Sequence, residues 1–340
     1  MASPMDKING LKSLVGNTPL IEIELTYKGE PRKIYAKLES YNFSGSIKDR
    51  MAYAILKKSY ENGTLKEGDT IVEATSGNTG ISFCALGRAL GHKVIINMPD
   101  WLSRERYQII ESLGAEINLV SKEEGGFLKS IEICDKMREE RDDVFLPHQF
   151  SNCYNTEAHY ETTGPEIWQQ IESLGLKVDA FTAGVGTGGT VMGTGKYLKE
   201  KNPEIKIHPL EPSNSPTLTT GYKVGAHRIQ GISDEFIPEI VKLNELDDII
   251  QVDDGDSILM AQKLSRQLGL AVGISCGANF LGALIAQNKL GKDAVSVTVF
   301  SDSNKKYLST DYMKEENCCD DFYSQDVELI GFKAVPRTNI

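Results

Sequence analysis

Hydrophobic and polar positions along the chain switch repeatedly between two periods. Short apolar, β-branched runs read as strands at Ile34–Leu38, Thr70–Glu73, Val94–Met98, Ile117–Val120, Val144–Leu146, Val178–Thr182, Ile205–Leu210 and Val295–Phe300. Between them, apolar residues recur at helical spacing. Asp49 to Asn62 places Ala52, Ile55, Leu56 and Tyr60 on one face, with Gly63 as the stop. Thr79 to Leu90 is apolar nearly all round, which predicts a buried helix ended by Gly91. Ser103 is placed to cap a helix bearing Ile109, Ile110 and Leu113, and Lys129 to Arg138 reads as another. Pro165 suits the first turn of a helix with Ile167, Trp168, Ile171 and Leu174. Gly188–Lys199, a helix capped by Asp256, and Asn279–Leu290 complete the series. This order predicts an α/β fold of two open, mainly parallel twisted sheets flanked by helices. The tail after Tyr312 is acidic and too weakly patterned to place.

Length and composition narrow the picture. At roughly 100–200 residues per domain, 340 residues predict two domains. Hydrophobic residues at 40% and charged residues at 25% exclude a disordered or fibrous chain. A net charge of −11 argues against nucleic-acid binding. There is no long apolar run to cross a membrane and no apolar segment near Met1 to act as a secretory signal, so a cytoplasmic protein is expected. Met1–Pro4 reads as a short addition ahead of Met5. The six cysteines and five histidines are scattered without metal-ligand spacing, so reduced thiols and no metal are expected.

In open α/β sheets ligands bind beyond the carboxyl ends of strands, so the loops after strands carry the chemistry. Four stand out. Ser44-Gly45-Ser46-Ile47-Lys48-Asp49-Arg50 puts a lysine at a helix start. Alone it reads as a surface lysine; buried beside an aldehyde cofactor it is a Schiff-base lysine. Glu73-Ala74-Thr75-Ser76-Gly77-Asn78-Thr79-Gly80 gathers more polar groups than a helix cap needs and suits a carboxylate. Gly184-Val185-Gly186-Thr187-Gly188-Gly189-Thr190 can cradle a phosphate on its backbone. It also matches a dinucleotide fingerprint, with Glu211 about 20 residues on, but explains only itself that way. In Gly273-Ile274-Ser275-Cys276-Gly277-Ala278, Ser275 alone reads as an N-cap.

Together these segments resemble the β-replacing enzymes of pyridoxal-phosphate fold type II, the tryptophan synthase β-like fold: cysteine synthase and cystathionine β-synthase. The resemblance spans roughly Leu14 to Thr310. It includes Gly16-Asn17-Thr18-Pro19-Leu20, Gln149-Phe150-Ser151-Asn152, Thr162-Thr163-Gly164-Pro165-Glu166-Ile167-Trp168, Ile229-Gln230-Gly231-Ile232 and Tyr307-Leu308-Ser309-Thr310. It implies pyridoxal 5'-phosphate as cofactor. Lys48 would hold it covalently and move protons, Asn78 would meet its ring hydroxyl, and Gly186, Thr187, Gly188, Gly189 and Thr190 would hold its phosphate. Ser275 would face its ring nitrogen. Thr75, Ser76, Thr79 and Gln149 would hold the substrate carboxylate. The resemblance further implies a homodimer and a mobile smaller domain, 40–152, carrying the carboxylate loop. A larger phosphate domain would comprise 5–39 and 153–312, with 313–340 unassigned.

The chain departs from cysteine synthases after Gly231-Ile232. There they have small residues before Phe-Ile-Pro, and cystathionine β-synthases have Gly-Tyr-Asp; this chain has Ser233-Asp234-Glu235 before Phe236. Read alone, Asp234 is a solvated loop acid. On a loop facing the cofactor it could deprotonate water and repel hydrosulfide. This resembles the hydrogen-sulfide-forming cysteine lyases, which release sulfide from L-cysteine and add water to give L-serine. Lys48, Asp234 and Ser76 form the expected catalytic set. The alternatives are a cysteine synthase using an O-activated L-serine and, more remotely, a non-catalytic regulatory relative. Phe43, Trp101 and Leu102 are also unusual and are expected to reshape the entrance. Asn339-Ile340 resembles the isoleucine-ended tail that cysteine synthases accept in their active site.

Overall fold

The structure is a computed structural model describing residues 3–337. Met1 and Ala2, and the Asn339-Ile340 tail, lie outside the described residues. In chain order the helices are α1 (Pro4–Leu11), α2 (Lys48–Glu61), α3 (Asn78–Leu90), α4 (Arg104–Ser112), α5 (Gly126–Glu140) and α6 (Cys153–Ala158). They continue with α7 (Gly164–Ser173), α8 (Gly189–Lys201), α9 (Thr217–Thr220), α10 (Asp254–Leu268) and α11 (Ile274–Leu290). The strands are β1 (Leu20–Tyr27), β2 (Glu30–Leu38), β3 (Thr70–Ala74), β4 (Lys93–Pro99), β5 (Glu116–Val120) and β6 (Val144–Phe145). After them come β7 (Ala180–Gly184), β8 (Lys206–Pro212), β9 (Ile250–Val252), β10 (Ser296–Phe300) and β11 (Val327–Val335).

The strands form two sheets, one of four strands in the order β5-β4-β3-β6 and one of seven in the order β11-β1-β2-β10-β7-β8-β9. The four-stranded sheet is wholly parallel. In the larger sheet β2, β10, β7, β8 and β9 are parallel, and β1 and β11 add an antiparallel edge. The predicted α/β class holds for a physical reason. Central parallel strands such as β3 and β10 are covered on both faces, and every residue of each is buried. Helices α3 and α11 are apolar nearly all round and buried along most of their length.

Several local expectations are corrected. Ser3 and Pro4 belong to the fold: Ser3 caps α1 in a capping box with Asp6. Asp253, not Asp256, caps α10, its carboxylate accepting from the backbone N–H of Gly255 and Asp256. Asp256 instead accepts from Tyr323 and Ser324. Ser103 stands at the N-cap of α4 but makes no cap hydrogen bond; its hydroxyl donates to the Lys306 carbonyl at 2.7 Å. The acidic tail is placed: its end is β11, paired with β1 from Leu20↔Val335 to Tyr27↔Val327 across a bulge at Glu24/Leu25.

A buried ion network fixes the start of α2. Arg50 binds Glu39 at 2.6 Å and Glu166 at 2.7 Å, and Lys37 binds Glu166 at 2.7 Å, all four residues being nearly inaccessible. Burial would raise the Glu166 carboxyl, but Arg50 and then Lys37 outweigh it and hold it well below the carboxylate range. Each charge is paired, so the cluster joins β2, α2 and α7 without an orphaned ion.

Candidate active site

A narrow cleft lies between the two sheets, at the carboxyl ends of β3 and β7. Its wall brings together Lys48, Ser76, Asn78, Thr79, Gln149, Gly186, Thr187, Thr190, Asp234 and Ser275. It opens into a mouth of about 810 Å³ that Ser76 and Asp234 also line. Thr75 does not reach the wall: it is buried, and its hydroxyl accepts from the Gly77 N–H at 3.0 Å. Gly188 and Gly189 form the turn behind the wall rather than its surface. Trp101 and Leu102 line the mouth, whereas Phe43 is exposed and touches neither cavity.

Lys48 is the first residue of α2, with Arg50 anchoring the helix two residues on. Among the described residues its ammonium has neither an ion-pair nor a hydrogen-bond partner. Burial pushes it below the usual lysine value; Asp302 and Asp234 pull it back up, and Lys306 pushes it further down. A lysine so placed is readily deprotonated and nucleophilic. Asp234 faces the same space. Burial pushes its carboxyl up to about 6, against the pull of Lys48 and with some help from Glu235.

The loop that carries Asp234 is held in an uncommon backbone conformation. Ser233, just before it, has φ +55°, where non-glycine residues are rare. Four hydrogen bonds hold it there. Its N–H donates to Val185 at 2.8 Å and its hydroxyl to Ser215 at 2.8 Å, with Thr217 at 3.2 Å; its carbonyl accepts from His227 Nε2 at 3.1 Å. Because His227 Nδ1 accepts from the Ile229 N–H, Nε2 carries the proton.

The loop after β3 is braced from behind. Gln149 accepts from the Thr79 hydroxyl at 2.7 Å and donates to the Ala74 carbonyl at 2.6 Å. Asn78 donates to Asp302 at 2.8 Å and accepts from Lys306 at 2.7 Å. The loop after β7 is bare and closely backed. A Cβ on Gly186 would fall 2.4 Å from the Gly231 carbonyl oxygen, and one on Gly189 only 1.9 Å from Asn155 Oδ1. Asn155 also donates to Thr187 at 2.9 Å, and the His159 ring stands 3.3 Å from the Thr190 hydroxyl. Burial keeps that imidazole well below its usual value. Ser275 is the second residue of α11, whose N-cap is Gly273, so the simple capping reading fails. It is buried in the cleft wall with its hydroxyl unclaimed by any described residue.

The alternative dinucleotide reading finds no support in Glu211. That carboxylate is buried and occupied by Leu218, Thr219 and Gln251. Residues that pattern reading overlooked are Arg106, Asp302, Lys306, Asn155 and His159. Lys306 and Asp302 flank the Tyr307 motif and could have been found from it; Arg106 lies on an ordinary amphipathic helix and gave no signal.

This donor set fits pyridoxal phosphate: an unpaired, half-buried lysine, a glycine-lined helix start for a phosphate, and a polar side chain on the same cleft wall. Residues 11–302 match the family model described as pyridoxal-phosphate dependent enzyme. The chain is 41% identical to a probable cysteine synthase of Bacillus subtilis over 298 residues, 88% of this chain and 95% of that protein. The structure of a hydrogen sulfide-producing enzyme from Fusobacterium nucleatum is 60% identical, with TM-score 0.95, covering 98% of this chain and 99% of that one. A second structure of such an enzyme, an aspartate-to-asparagine mutant complexed with an α-aminoacrylate intermediate, is also 60% identical, with TM-score 0.96 over 98% and 100% of the two chains.

Proposed function

The chain belongs to the pyridoxal-phosphate dependent enzymes and to their β-replacing branch, and we propose that it converts L-cysteine and water into L-serine and hydrogen sulfide. The observation that carries this reading is Asp234, a carboxylate in the cleft beside Lys48 with its acidity shifted to about 6. The 60% identical hydrogen sulfide-producing enzyme supports it. When bound, the cofactor supplies an electron sink for the substrate's α-carbon.

The chain's own residues supply the rest. Gly186 to Thr190, at the start of α8, would hold the phosphate on backbone N–H groups. Ser275, on the cleft wall, would face the ring nitrogen and, being neutral, would not enforce its protonation. Lys48 takes the proton from Cα and later returns it. The C–S bond breaks and sulfide leaves with a proton. Asp234 then takes a proton from water as the C–O bond forms at Cβ and gives it up to solvent, where the departed hydrosulfide takes one up, so the carboxylate returns to its ionised form. A negative charge at Asp234 also disfavours hydrosulfide, so the reverse attack is suppressed. We further infer a homodimer in the cytoplasm from the family likeness. Among the described residues, no helix is long and apolar enough to cross a membrane.

A second reading is cysteine synthase, favoured by the 41% identical Bacillus subtilis protein. Incubation with L-cysteine alone separates the two. The proposal predicts equal amounts of sulfide and serine. No serine without an O-activated substrate would favour the synthase.

A further inference from the structure

Arg106 stands on the cleft wall with no task in the reaction just described. It lies on α4 and is 1% exposed. A guanidinium carries five N–H donors and keeps its charge at any physiological pH. Here those donors are almost unused. Nη1 reaches Ser103 Oγ at a long 3.4 Å, and Nε has no partner. Among the described residues no carboxylate pairs with it. What it does have is the Tyr307 ring, 4.7 Å from its guanidinium carbon, and a repelling neighbour in Lys306. The adjacent Glu105 is turned away and bound to Ser309 at 2.7 Å. A buried, unpaired cation is costly, and proteins compensate such charges.

Its position indicates what completes it. A Cβ on Gly77 would fall 2.3 Å from Arg106 Nε and 2.1 Å from its Cδ. Gly77 has φ +142°, so the loop ahead of α3 is shaped to let the arginine pass directly beneath it. The unused donors therefore lie beside the N-terminus of a 13-residue helix, on the wall that Ser76 and Thr79 share.

We propose that Arg106 binds the α-carboxylate of the amino-acid substrate, together with the loop 76–79. It thereby makes a carboxylate a requirement for productive binding. The inference rests on the β-replacing reading, which supplies the amino-acid substrate. Arg106 would be a specificity-determining residue that touches substrate, and no proton passes through it.

The test uses the holoenzyme and follows the absorbance of the bound cofactor. L-Alanine has the carboxylate and no leaving group; L-alaninamide replaces the carboxylate with a neutral amide. Arg106→Gln should weaken L-alanine binding by about 10–100-fold, the range for a hydrogen bond to a charged group. L-Alaninamide binding should change less than about twofold, and Arg106→Lys should recover part of the loss. Equal weakening of both ligands would overturn the proposal in favour of a strut between α4 and Tyr307. Unchanged L-alanine binding with slower sulfide release would overturn it in favour of a role at the leaving thiolate. Should Arg106→Gln fail to fold, Arg106→Lys gives the same comparison with a smaller effect. If the parent protein shows no absorbance response to any amino acid, the β-replacing reading itself fails.

Discussion

At the scale of the residue, environment sets chemistry more than residue type does. Asp234 and Glu73 are both carboxyls displaced upward by burial, to about 6 and about 8. Asp234 faces the cleft and acts ionised, so water addition should fall about tenfold per pH unit below about 6 and level off above it. A serine-formation profile flat between pH 5 and 7 would contradict this. Glu73 lies in β3 with one oxygen on the Ala74 N–H and the other unpartnered. Its folded-state value is above the unfolded one, near 4.5. The native state therefore holds the extra proton, and stability present below about pH 4.5 is lost as pH rises through about 8. Glu73→Gln should thus stabilise the protein at pH 8.5 by a few kcal/mol, on the order set by the shift, and hardly at all at pH 4.5. Denaturant titrations at the two pH values read the difference. Lys48, Asp234 and Ser275 each read alone as an ordinary loop or helix-start residue; they stood out in the sequence only because the motifs around them resemble the β-replacing family, in order along the chain. Arg106 did not stand out: only its burial and its empty donors, both tertiary facts, distinguish it from a surface arginine.

At the scale of the element, the α/β core was legible because its periods are local. A covered parallel strand is a continuous apolar run, and a buried helix is apolar all round. The antiparallel edge was not. β1 and β11 are some 300 residues apart in sequence, as in Leu20↔Val335, and only their pairing shows that the tail belongs to the sheet. The short α6 was missed as well, yet it supplies Asn155 behind the phosphate loop. Gly189→Ala tests that packing. Its Cβ would strike Asn155 Oδ1, so the loop or α6 must shift. We expect a loss of about 1–3 kcal/mol, as for other overpacked sites. We also expect weaker retention of pyridoxal phosphate, read by cofactor absorbance after dialysis. An unperturbed melting temperature with full cofactor would show the contact to be soft.

At the scale of the whole molecule, the cleft is assembled from both sheets. Ser76, Asn78 and Thr79 come from the four-stranded side; the phosphate loop, Ser275 and Asp234 come from the seven-stranded side. A ligand touching both should draw them together, and we propose that residues 40–152 move as a body when substrate binds. Crystals of the holoenzyme with and without L-alanine should differ in the angle between the two sheets; identical orientations would contradict the closure. The proposed conversion of L-cysteine to L-serine turns on Asp234 as the water-activating base. The most direct measurement mixes Asp234→Asn holoenzyme rapidly with L-cysteine and quantifies sulfide and serine in parallel. Prompt release of about one sulfide per site is expected, with serine formation slowed by about 10²–10⁴-fold, the usual range for general-base assistance. Serine formed as fast as by the parent protein would contradict it.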